Sequence, residues 1–116
     1  LAYMPREEVD KILKSVPLVK YTNKTITDIK LINQNLKAIR KQGYAYDGGE
    51  TAEGVICIAA PIRDESGLVA AAINLTDTVS NTLPEKMQEH VPLLKERALF
   101  ISRQLGYEKS FPLNGL

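Results

Sequence analysis

Three segments of the chain carry a hydrophobic repeat, and its period changes from one to the next. Ile29, Ile32, Leu36 and Ile39 recur every three or four positions, the period of an α-helix. Thr27 reads as the N-cap of that helix, because its hydroxyl can accept from a free N–H of the first turn. Gly43 suits the left-handed position that ends many helices, so the spacing predicts a helix over residues 28–42. Residues 54–63 and 68–76 are instead almost continuously apolar, and Asp64-Glu65-Ser66-Gly67 lies between them. Two strands joined by a tight turn account for that pattern. Farther on, Met87, Val91, Leu94, Ala98, Ile101 and Leu105 alternate four- and three-residue steps, which predicts one long helix over residues 84–105. Pro92 removes the hydrogen bond to residue 88 and predicts a kink there. The stripe suits a coiled-coil seam or a core face; its shortness and Pro92 favour the core.

Shorter elements fill the gaps. Residues 5–14 read as a helix with Pro5 at its first position, acidic residues in its first turn and an apolar stripe of Val9, Ile12 and Leu13. Residues 18–26 form a connector, 44–47 a short strand, 48–53 a loop and 107–116 a tail. Helix, helix, three strands, helix, with neighbouring strands on a tight turn, predicts an α+β fold with an antiparallel sheet.

The strand pair has two unlike faces. With a four-residue turn, Arg63 faces Leu68, Cys57 faces Asn74 and Val55 faces Thr76. Alternation then gathers Val55, Cys57, Asn74 and Thr76 with Ala59, Ala70 and Ala72. The opposite face is wholly apolar: Ile56, Ile58, Ala60 and Ile62 with Val69, Ala71, Ile73 and Leu75. A bulge at Gly67 would shift the pairing by one and set Asn74 and Thr76 beside Ile56 and Ile58. The first register is preferred because it buries no polar group against the bulky face. Bulky residues fill a core, whereas small ones with a few polar anchors leave room for a ligand.

Composition narrows the chemistry. The 116 residues suit one domain, and a formal net charge of +1 gives no strong field toward nucleic acid or membrane. The basic end of the second helix (Lys37, Arg40, Lys41) is read as a solvated face with cations suited to a helix C-terminus. One Cys and one His exclude an internal disulfide and leave too few ligands for a Cys- or His-based zinc site. No apolar run approaches the ~18 residues of a membrane helix. No signal peptide is evident, so a cytoplasmic location is expected. Leu1-Ala2-Tyr3-Met4 reads as the end of a helix, and the chain is expected to be a piece of a longer protein. A nucleophilic Cys57 would need a base, and His90 is the one candidate besides carboxylates. Cys57 is therefore read as a small buried residue and the chain as no enzyme. Glu50 reads as a solvated loop residue.

The segments Ile39-Arg40-Lys41-Gln42-Gly43-Tyr44-Ala45-Tyr46-Asp47, Glu50, Gly54-Val55-Ile56-Cys57-Ile58-Ala59-Ala60-Pro61-Ile62-Arg63-Asp64, Gly67 and Ala70-Ala71-Ala72-Ile73 together resemble the effector-binding domain of IclR-type bacterial transcriptional regulators. Leu1-Ala2-Tyr3-Met4-Pro5, Thr25-Ile26-Thr27-Asp28 and Leu105-Gly106-Tyr107 extend the resemblance over nearly the whole chain. It implies a GAF-like antiparallel sheet flanked by helices, of which this chain holds the C-terminal portion: residues 1–106 the partial domain, 107–116 its tail. It also implies a sensor for a small, carboxylate-bearing effector, contacted by Asp47, Val55, Cys57, Asn74 and Thr76, with no cofactor. Many members carry Ser where Asn74 and Thr76 stand. The implied partners are the effector, further copies in a dimer or tetramer, and DNA only through a separate winged helix-turn-helix domain, with no membrane. The alternative is an oligomerisation module with a vestigial pocket.

Overall fold

In the computed structural model, which describes residues 1–108, the chain forms four helices and one three-stranded antiparallel sheet. Strand β2 (Val55–Arg63) is central, with β1 (Ala45–Asp47) on one side and β3 (Val69–Thr78) on the other. Burial alternates strictly along β2: Ile56, Ile58, Ala60 and Ile62 are buried and the residues between them half-buried. That is the period of a strand packed hard on one face only. The buried face meets Met87, Val91, Leu94 and Ala98, and each fully buried Ile contributes roughly 1.5–3 kcal/mol.

Those four residues lie on two helices rather than one. Helix α3 (Pro84–Glu89) ends at His90, and α4 (Val91–Gln104) begins directly after it. The expected single helix kinked near residue 88 is thus corrected to two. Pro92 sits in the first turn of α4, where backbone N–H groups have no helical acceptor and a missing donor costs nothing. The same repeat still points one way: Met87 through Ala98 is buried, while Leu105 is exposed.

Sheet and α4 are also joined by one buried hydroxyl. Ser102 Oγ donates to Ala98 O at 2.8 Å and accepts from Arg63 N at 2.9 Å. The hairpin explains why Arg63 needs that partner. Arg63 pairs with Val69, but Ile62 pairs with Ala71, leaving Ala70 as an extra residue in β3. At the turn, Gly67 takes a left-handed conformation (φ 85°), and its N–H donates to Asp64 O at 3.0 Å.

The preferred register is therefore corrected. The turn end has the one-residue shift of the rejected alternative, and the bulge at Ala70 adds a second. Cys57 faces Thr76, Ala59 faces Asn74 and Val55 faces Thr78. Two one-residue shifts sum to an even number, so each residue from 71 onward keeps its predicted face. The bulky face gains Asp77, opposite Ile56 at the sheet's end. Asp77 accepts from Thr82 Oγ1 at 2.6 Å, Thr78 N at 2.7 Å and Asn81 Nδ2 at 2.9 Å. Chiefly through the Thr82 hydroxyl, these bonds hold its pKa below the ordinary 3.8.

Helices α1 (Arg6–Ser15) and α2 (Ile29–Gln42) build a second core from Ala2, Val9, Leu13 and Leu36. Pro5 precedes α1 rather than opening it, and Ile12 is exposed rather than part of the buried stripe. Asp28, not Thr27, caps α2: its Oδ1 accepts from Lys30 N at 2.8 Å. Gly43 ends α2 left-handed as expected, its N–H donating to Ile39 O at 2.8 Å.

Two sets of contacts link the segments flanking α1 to the end of β2 and to the loop after β1. Arg63, which alternation places on the Cys57 side of β2, lies 4.8 Å from the centre of the Tyr3 ring. At the other end, Thr22 Oγ1 donates to Gly49 O at 2.6 Å and Thr25 Oγ1 to Glu50 O. Of the predicted tail, Tyr107 N donates to Ser102 O at 3.0 Å; residues 109–116 lie outside the described residues.

Candidate functional site

The register gathers the predicted ligand contacts on one face of the sheet. Asp47 pairs with Cys57, and Cys57 pairs with Thr76, so the three form a row across all three strands. With strands about 4.8 Å apart, the row spans roughly 10 Å. The next row is Ala45, Ala59 and Asn74. On the other side, Val55 pairs with Thr78. Asp47, Val55, Cys57, Asn74 and Thr76 thus share one surface, floored by alanines and turned away from α3 and α4.

Each side chain has a distinct state. Asp47 Oδ1 accepts from Gly49 N at 2.9 Å and Glu50 N at 2.7 Å, which fixes the start of the loop over residues 48–54. Cys57 is half-buried, with its thiol 3.6 Å from Ile58 O. Asn74 and Thr76 are exposed on β3, whose outer edge pairs with no strand among the described residues. The cavities near α1–α2, beside the 48–54 loop and beside α4 are not lined by these five residues.

His90 sits at the α3–α4 junction, and those helices pack on the opposite face of the sheet from Cys57. A Cys57–His90 pair is therefore not assembled.

Two residues were missed or misread from sequence. Thr78 continues the Asn74-x-Thr76 alternation by one step and donates to or accepts from Ser80 Oγ at 3.0 Å. Carrying the period of two past Thr76 would have found it. Glu50, expected to be solvated, is half-buried. Burial first, and then the charge of Asp47, hold its pKa above the ordinary 4.5. The connector reaches this residue through Thr25 Oγ1, which donates to Glu50 O, a contact no local pattern encodes.

The family model described as "Bacterial transcriptional regulator IclR C-terminal" matches residues 1–103. The chain belongs to the IclR C-terminal domain family. Among relatives of this IclR-type domain, the HTH-type transcriptional regulator KdgR of Escherichia coli is 37% identical over 107 residues, covering 92% of this chain and 41% of KdgR. The HTH-type transcriptional repressor AllR of Klebsiella pneumoniae is 33% identical over 103 residues, covering 89% of this chain and 38% of AllR. The chain thus spans about two fifths of the length of these curated relatives.

Solved structures agree. The C-terminal domain of E. coli KdgR superposes with a TM-score of 0.84 at 37% identity, covering 92% of this chain and 65% of that domain. The Thermotoga maritima IclR gives 0.83 at 38% identity, covering 91% of this chain and 43% of that one. The inducer-binding domain of PobR from Acinetobacter, a double mutant in complex with 3-hydroxy benzoic acid, gives 0.83 at 29% identity, covering 87% of this chain and 60% of that one. The IclR-type domain is therefore α+β, corresponds to the C-terminal portion of the family's regulatory domain, and has regulators rather than enzymes as relatives. Among its described residues, no helix is long and apolar enough to cross a membrane.

Proposed function

We propose that the Asp47–Cys57–Thr76 face is the floor of an effector site for a small, carboxylate-bearing metabolite. The observation behind this reading is the register, which aligns three polar side chains in one row, with Asn74 adjacent, on the face opposite the bulky core. Asn74 offers an amide donor, Thr76 a hydroxyl and Cys57 a weak thiol donor to an anionic group. Asp47, with Oδ1 engaged by the loop, accepts from an effector hydroxyl through Oδ2. The complex of the PobR inducer-binding domain, as a double mutant, with 3-hydroxy benzoic acid supports this use of the fold.

In a longer cytoplasmic regulator, assembled as a dimer or tetramer, occupancy of this face shifts the DNA affinity of a separate winged helix-turn-helix domain. The HTH-type names of KdgR and AllR support that partner domain. Such coupling requires the effector to bind the two arrangements of the assembly unequally.

Calorimetric titration of the full-length protein with a panel of small carboxylic acids tests the site. Each lost buried hydrogen bond costs about 1–3 kcal/mol, so Asn74→Leu and Thr76→Val each weaken the binding acid by roughly tenfold or more. Unchanged affinity in both variants overturns the assignment. The open outer edge of β3 favours a second reading, in which the face is vestigial and the domain chiefly assembles the protein. Sedimentation separates the two: assembly indifferent to every acid, with no calorimetric binding, supports the second.

A further inference from the structure

A second surface gathers charge that the effector site does not use. Helix α2 carries Lys30, Lys37, Arg40 and Lys41 and no carboxylate in its fourteen residues. Lys30, Lys37 and Arg40 line a groove of about 780 Å³ between α2 and the segment running from Ala2 to Val9, with Arg6 on the facing wall. No Asp or Glu lines it. Among the described residues none of these cations forms an ion pair; the salt bridge found is Lys86–Glu89 on α3. The floor is apolar: Ala2, Val9 and Leu36 are buried beneath it. One wall is fixed to the other, because Arg40 Nη1 donates to Ala2 O at 2.9 Å.

A groove of this volume lies within the range that holds small organic ligands. Unneutralised cations around an apolar floor select a molecule with one anionic head and a hydrocarbon or aromatic body. A solvated basic helix face would not need the floor, and a purely apolar groove would not exclude carboxylates. We propose that the α1–α2 groove is a binding site for an amphiphilic organic monoanion, separate from the effector face of the sheet. Its body rests on Val9 and Leu36, and its head lies among Arg6, Lys30 and Lys37.

Octanoate serves as the probe, with octanamide and acetate as controls for head and body. In the full-length protein with labelled methyl groups, octanoate shifts the Val9, Ile29 and Leu36 resonances saturably, while octanamide and acetate at the same concentration do not. The exposed pair Lys30→Glu with Lys37→Glu weakens octanoate by about tenfold or more, through loss of attraction and added repulsion. Lys30→Arg with Lys37→Arg retains binding, and Thr76→Val leaves it unchanged. Equal shifts with octanamide, insensitivity to charge reversal, or shifts with duplex DNA but none with octanoate overturn the proposal.

Discussion

The hydroxyl of Ser102 replaces a hydrogen bond that the bulged hairpin leaves unmade. With Arg63 N as donor and Ala98 O as acceptor, both its bonds are internal. Ser102→Ala leaves the Arg63 N–H without that partner, at a cost of about 1 kcal/mol or somewhat more, measurable as a lower midpoint in urea. Glu50 is the titrating counterpart. A carboxyl whose folded-state pKa is raised favours the fold below its unfolded value, and that advantage is lost as pH rises through the raised value. Glu50→Gln is accordingly more stable than the parent near neutral pH, with the difference closing as pH falls through the raised value to the ordinary 4.5. Thermal unfolding across that window checks the sign. Neither role was visible from sequence. Ser102 sits in a helical pattern that gives no hint of a bulge across the interface, and the half-buried Glu50 lies in a loop whose composition reads as solvated. Cys57, by contrast, was placed on its face by alternation alone.

Elements were legible wherever one periodicity dominates. The α2 stripe, the left-handed Gly43 and the strict alternation of β2 follow directly from spacing. Ends and joints were less so. Thr27 and Asp28 are both competent caps, and only backbone geometry decides between them. Asp28→Ala is expected to destabilise by about 1 kcal/mol, whereas exposed Thr27→Ala changes stability by less than about 0.5 kcal/mol. Chemical denaturation of the two variants compares them directly. Pro92 was ambiguous for a similar reason: the same missing N–H kinks a helix interior and suits a helix start. The hairpin register shows how a wrong pairing can yield a right face. A turn that adds one residue and a bulge that adds another restore parity, so every residue from 71 onward keeps its face although every cross-strand partner changed; Val69, expected on the bulky face, instead faces Arg63 on the Cys57 side, and Ala70 is the bulge residue.

At the scale of the molecule, two cores divide the work. One joins the sheet to α3 and α4; the other joins α1 to α2 and is tied to the sheet through Tyr3, Thr22 and Thr25. The face that carries Asp47, Cys57, Asn74 and Thr76 is turned away from the first core, and its Asn74 and Thr76 are exposed. The α+β class was readable from element order, but the contacts of Tyr3, Thr22 and Thr25 with Arg63, Gly49 and Glu50 were not, because they join residues far apart in sequence. Cys57 is the single cysteine of the chain and stands at the middle of the polar row, so its thiol reports directly on occupancy. The decisive measurement is the rate of alkylation at Cys57, followed by mass spectrometry of its peptide in the full-length protein, with and without the carboxylic acid that calorimetry selects. A ligand seated on this face slows alkylation in proportion to occupancy, and that protection weakens in Thr76→Val. An acid that binds tightly yet leaves the Cys57 rate unchanged would contradict the account.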